Sequence, residues 1–266
     1  MRRSLPAVLI LAAATGALAF TSCAAGVTTP AASPTTTAGA ATSSPGPSAS
    51  VSGAVGAPAV CDAVELKPGA SVAGSDLAAC VVGFSRAAGS GRETFTASDG
   101  SSGQADFVFG DAPAMSGTVT GADGSTSFVL TPDAAWITID GVWVEGDASS
   151  TDPKRMLAGT VGQAYRAFAD PSATTAVISA SASWTVQTDQ DVITLPDDTE
   201  VPAWRLQSDA AFTAVGADVQ EMVVWLTSAH VPVGVQATAS VGGLQTTTVQ
   251  HYYGWGTPVA ITTPQP

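Results

Sequence analysis

Basic side chains are scarce in this sequence of 266 residues: nine Lys and Arg stand against 22 Asp and Glu, for a formal charge of −13. So few cations cannot neutralise a phosphate backbone, which excludes nucleic acid as a partner. No run of about 20 apolar residues occurs, so no ordinary transmembrane helix is encoded. Histidine is nearly absent, and neither His230 nor His251 has a second His, Cys or paired carboxylate at ligand spacing. There is no Gly-x-Ser-x-Gly elbow, no phosphate loop and no Cys-x-x-Cys pair. These absences argue against a metal centre, a cofactor and an enzyme. A His–Asp–Ser arrangement assembled only by the fold is the residual catalytic reading. What is abundant is small and apolar: hydrophobic residues make up 45% of the chain, too many for a fully disordered one.

The first residues carry an address. Met1-Arg2-Arg3 is followed by an apolar run from Leu5 to Phe20 and then by Thr21-Ser22-Cys23. A positive start, a short apolar segment and small residues form a secretory signal, expected over residues 1–22. Small residues before Cys23 resemble a bacterial lipobox. That resemblance implies cleavage before Cys23, lipidation of its thiol and an anchor on the outer face of the cytoplasmic membrane. Two or more acyl chains hold such an anchor stably. A plain signal peptide with an incidental cysteine is the alternative. Loss of Arg2 and Arg3 would leave a still more acidic protein, with no electrostatic hold of its own on anionic lipid.

A tether follows. Between residues 24 and 57 every residue except Val27, Val51 and Val55 is Ala, Gly, Pro, Ser or Thr. Such a segment cannot bury enough apolar surface to offset its ordering entropy. We expect a flexible spacer with an end-to-end distance of about 30 Å. With Cys23 lipidated, Cys61 and Cys80 remain. In an oxidising compartment they are expected to pair, closing a loop of about 20 residues and contributing about 3 kcal/mol.

Residues 58–266 are long enough for one domain with a sizeable core. Leu77, Cys80, Val81 and Phe84 recur at helical spacing over residues 75–87, with Ser75 or Asp76 as N-cap and Gly89 and Gly91 as terminators. Short strand patterns follow at 92–97, 104–109, 116–120, 126–131, 135–140 and 142–145. Ala122-Asp123-Gly124 and Asp140-Gly141 provide turns between them. A second helix is expected at 153–169, with Met156, Leu157, Thr160, Val161, Ala164, Tyr165 and Phe168 on one stripe and Pro171 ending it. Residues 177–182 fit a short helix or a strand equally. Further strands are expected at 184–188, 192–195, 203–208, 220–227, 233–239 and 246–251, and near 259–262. The sum is an α+β protein: a curved antiparallel sheet with two or three helices on one face.

The order of these pieces is familiar. A lipobox and Ser/Thr/Pro tether precede a helix that ends in Ala-Ala-Gly-Ser. A hairpin then carries Trp136-Ile137-Thr138-Ile139-Asp140-Gly141-Val142-Trp143-Val144. A helix is followed by Val223-Val224-Trp225-Leu226 and Val231-Pro232-Val233. The chain closes with Tyr253-Gly254-Trp255-Gly256-Thr257-Pro258-Val259-Ala260-Ile261. Over residues 75–263 this order resembles the actinobacterial LppX/LprG group of lipoproteins and, more distantly, the LolA-type lipoprotein carriers. The resemblance implies a half-barrel whose helices cover its concave face, with space between them for a lipid, a lipoglycan or another amphiphile, bound without chemistry. Cavity candidates are then Phe107, Phe109, Trp136, Leu157, Val161, Tyr165, Phe168 and Trp225. For each, ordinary core packing is the competing reading. The Cys61–Cys80 pair, and Thr and Ser at alternating positions of 236–248, depart from the group. A filled core that presents an acidic surface to another envelope protein is the alternative function.

Overall fold

A computed structural model of the chain describes residues 55–169 and 171–265, apart from the side chains of residues 164–171. Cys23 and the expected signal and tether up to residue 54 lie outside the described residues.

The order is a 3-10 turn at Ala59–Ala63, β1 (Ser71–Ala73), α1 (Gly74–Ala88), then β2 (Ser90–Ala97), β3 (Ser102–Val108), β4 (Ala114–Gly121), β5 (Gly124–Leu130), β6 (Ala135–Ile139) and β7 (Val142–Glu145). Two helices follow, α2 (Pro153–Ala169) and α3 (Pro171–Ala180). The chain returns to strands in β8 (Ser183–Thr194), β9 (Glu200–Ser208), β10 (Phe212–Ala214), β11 (Ala217–Leu226), β12 (Pro232–Val241) and β13 (Leu244–Tyr253).

Among the described residues all 13 strands belong to one antiparallel sheet in the order β1-β8-β9-β11-β12-β13-β2-β3-β4-β5-β6-β7, with β10 paired to β11. Two meanders therefore meet at the middle, where β13 lies beside β2 and Tyr252 faces Glu93. The sheet stays open, a half-barrel as the sequence order implied, with three helices.

Strand pairing fixes which residues share a face, because side chains alternate along a strand. One row crosses the inner face through Val186, Leu206, Val224, Val235, Gln250 and Phe95. The next runs through Tyr252, Glu93, Ala105, Gly117, Phe128, Ile137 and Val144. The outer face is largely hydroxylated: Thr118 and Ser127 share a hydrogen bond of 3.2 Å, and Thr238 and Thr247 one of 2.9 Å. Most of the Ser and Thr in 236–248 therefore belongs to the outside, with Thr246 and Thr248 on the inner parity.

Helix α1 lays Leu77, Cys80, Val81 and Phe84 against the inner face, all buried. It ends at Gly89, whose φ of 73° suits a residue without Cβ and whose N–H bonds the Ser85 carbonyl. The disulfide Cys61–Cys80 is formed and fastens the 3-10 turn to this helix.

Several local expectations need correction. Helix α1 is not capped by Ser75 or Asp76. It starts directly from β1, where Gly74 N–H bonds the Ala182 carbonyl, so a tertiary contact sets the boundary. Pro171 opens α3 besides closing α2, as its fixed φ allows at a first helical position. The undecided segment at 177–182 falls mainly in that helix. The two strands expected at 184–188 and 192–195 are one, β8, with an irregularity between Val186 and Gln190. No strand forms at 259–262: Gly254 and Gly256 turn the chain at positive φ, and Pro258 has no N–H to add to a ladder.

Candidate functional site

Between α1, α3 and the inner face lies a cavity of about 110 Å³. At about one water per 10–15 Å³ of such space, that is room on the order of ten water-sized groups. It fits part of one acyl chain rather than the two whole chains a large lipid carrier would need. Val81 and Ser85 of α1, with Ala173, Thr174, Val177 and Ile178 of α3, form the roof. The floor is Met222 and Val224 of β11, Val235 and Ala237 of β12, and Thr248, Gln250 and Tyr252 of β13. Glu93, Phe107, Phe109, Met115 and Trp255 close one side.

That side is an aromatic wall. The Trp255 ring stands 5.5 Å from Phe84, 5.4 Å from Phe107 and 5.9 Å from Tyr252, and Phe107 lies 5.0 Å from Phe109. Gly91 makes this cluster fit: a Cβ there would stand 2.6 Å from Phe107 Cζ and 3.0 Å from Trp255 Cε3. The Trp255 indole N–H donates to the Pro232 carbonyl at 2.8 Å, which ties the chain's last turn to the sheet.

The polar groups of the cavity sit on β2 and β13. Glu93 is 3% exposed, and its Oε1 has no hydrogen-bond partner. Burial pushes its carboxyl up to about 8. Gln250 is 1% exposed, and its Oε1 accepts from the Tyr252 hydroxyl at 3.1 Å. Burial, and then the charge of Glu93, raises the Tyr252 phenol. Ser85 donates to the Val81 carbonyl at 3.0 Å. Arg92, beside Glu93 in sequence, points to the outer face, where its Nε lies 3.2 Å from Asp106. Among the described residues no Lys, Arg or His lines the cavity.

The sequence-derived candidates divide by strand parity. Phe107 and Phe109 line the cavity. Trp136 and Trp225 correct the expectation: each is one residue out of phase with the inner row, so both project from the outer face. Trp225 is nonetheless buried, in one hydrophobic cluster with Val201, Ala203 and Val223, and its indole N–H donates to Asp191 at 2.8 Å. Leu157 and Val161 on α2 are partly buried and lie away from the lining, Val161 packing on the core of the β3–β6 flank. The side chains of Tyr165 and Phe168 lie outside the described residues. Glu93, Thr248, Gln250 and Tyr252 were missed. Glu93 had a legible signal, since it stands two residues from Phe95 and must share its face. The polar Thr94 and Thr96 beside them hid the alternation.

The histidines do other work. His230 Nε2 lies 2.9 Å from the Val64 carbonyl. His251 sits on the outer row opposite Thr94, where burial lowers its pKa. Among the described residues no group of three His, Cys, Asp or Glu could hold a metal. No helix among them is long and apolar enough to cross a membrane.

No protein-family model and no curated protein matches this chain. Among solved structures, LprF from Mycobacterium bovis is similar at 15% identity and a TM-score of 0.46, over 73% of this chain and 97% of that one. A LolA superfamily protein from Nitrosomonas europaea is similar at 11% identity and a TM-score of 0.25, over 68% of this chain and 91% of that one.

Proposed function

We propose that this chain is an exported, lipid-anchored binding protein, with residues 58–266 as its folded domain. Its half-barrel holds the apolar part of a lipid, a lipoglycan or another amphiphile at the outer face of the cytoplasmic membrane, without chemistry. The cavity between α1, α3 and the inner face carries this reading, since its lining is mainly aliphatic and aromatic. Each methylene moved from water into it contributes about 0.8 kcal/mol. A short chain segment therefore supplies several kcal/mol to set against the cost of immobilising the ligand.

The test is the lipid content of the purified full chain. Organic extracts analysed by mass spectrometry are expected to contain one enriched amphiphile. Ala237→Phe, which places a ring in the cavity from β12, is expected to remove it with little change in melting temperature. Background lipid alone in both proteins would count against the reading. The modest size of the cavity favours, in that event, an interaction module with an acidic surface, detectable as a salt-sensitive envelope partner.

A further inference from the structure

We propose that Glu93 is the polar anchor of the cavity and that the ligand it selects is a single-chain amphiphilic amine. The protonated amino group meets the Glu93 carboxylate, and the tail runs between α3 and the floor. This inference rests on the cavity being a ligand site and adds the chemical class of its occupant.

Three observations converge. First, Glu93 Oε1 is a buried acceptor with no partner, whereas Ser85 and Tyr252 already donate within the lining. Buried polar groups in folded proteins are nearly always paired, so an orphan facing a cavity marks a place that a ligand donor completes. A charged donor makes the strongest such bond. Second, among the described residues the lining holds this one carboxyl and no cation. A carboxylate or phosphate head group would lose its water there and meet nothing of opposite sign, whereas an ammonium would meet the missing counter-charge. Third, Phe107, Tyr252 and Trp255 stand at the same side of the cavity, and aromatic faces attract cations. The net charge of −13 also enriches cations, not anions, around the mouth.

The other side chains on the lining are neutral: Ser85, Thr174, Thr248, Gln250 and Tyr252. Glu93 is thus the group whose protonation changes when an ammonium arrives. It holds a proton in the empty cavity at neutral pH and releases it as the ion pair forms.

The experiment is calorimetric titration of the lipid-stripped full chain at pH 7 with decylammonium, decanol and decanoate, each below its micellar concentration. Decylammonium is expected to bind at least tenfold more tightly than decanoate, with decanol between them. Its heat is expected to vary with the ionisation enthalpy of the buffer, because a proton is released. Glu93→Gln, nearly isosteric, is expected to bind decanol within threefold of the parent. In that variant the preference for decylammonium shrinks to under threefold and the buffer dependence disappears. Equal affinities for decylammonium and decanoate, or a preference that survives Glu93→Gln, would overturn the anchor while leaving the cavity a ligand site. If none of the three binds, and Ala237→Phe changes nothing, both the anchor and the reading beneath it fall.

Discussion

The two flanks of the sheet are filled in different ways. On the flank built from β1, β8, β9, β11 and β12, helices α1 and α3 press onto an aliphatic layer. Leu77, Cys80, Trp184, Val186, Leu206, Val224 and Leu226 there have essentially no exposed surface. The Trp184 indole N–H donates to the Ile178 carbonyl at 3.2 Å, and the disulfide fixes the chain entering the helix. On the flank of β3–β7, α2 lies over β5, β6 and β7, and Phe84 of α1 and Trp255 join the same core cluster. Phe107, Phe128, Leu130 and Ile137 are buried there, but Leu157 is only partly covered and Met156 is 46% exposed. The cavity occupies the seam, where the roof of the first flank meets the aromatic wall of the second. The cavity thus lies beside the aliphatic layer under α1 and α3 on one hand and the aromatic cluster around Trp255 on the other.

The contrast can be broken by mutation. Trp184→Ala is expected to have the largest effect: about 3–5 kcal/mol lost, a fall in melting temperature of roughly 10 °C. Leu157→Ala on the other flank is expected to cost about 1–2 kcal/mol, because its side chain is only partly buried. Comparable losses at the two sites would abolish the distinction. The double substitution Cys61→Ser and Cys80→Ser comes next, at about 3 kcal/mol by loop entropy. Urea midpoints of the oxidised and substituted proteins measure it.

The seam responds to pH. The unfolded chain releases the Glu93 proton near 4.5, whereas the folded one holds it up to about 8. Between those values the folded state binds more protons, so stability falls as pH rises from 4.5 to 8 and levels off above. Full conversion of the shift gives an upper bound of about 5 kcal/mol. Relaxation around the buried charge lowers the realised change below that bound. Glu93→Gln is expected to lack that slope, seen as a widening stability gap over the parent between pH 5 and 9. Parallel profiles would show that Glu93 is hydrated in the folded protein. The smallest effect belongs to the exposed pair Lys154–Asp140, 2.6 Å apart at the start of α2. Asp140→Asn is expected to shift stability by under about 0.5 kcal/mol.

Local signals were read most accurately where one contact range governs them. Helix α2 and strand β7 lie at 153–169 and 142–145, where periodicity and the Asp140-Gly141 turn put them. Boundaries failed where a distant partner decides. Gly74 begins α1 because of Ala182, and β8 is one strand because β9 pairs with it on both sides of the irregularity between Val186 and Gln190. The site was less legible than the fold. Phe107 and Phe109 were in view because β3 alternates cleanly. Trp136 and Trp225 were chosen by bulk, which carries no parity. Glu93 looked like a solvent-facing strand charge, the usual place for a carboxylate.

By itself the sequence determined that the chain is acidic and that strand patterns stand on either side of a central helix. Composition and periodicity are properties of neighbours along the chain. Only the tertiary structure decided that β13 returns beside β2. That pairing sets Tyr252 against Glu93 and leaves one carboxyl facing a small apolar hollow, and no local pattern encodes which strand will lie next to which.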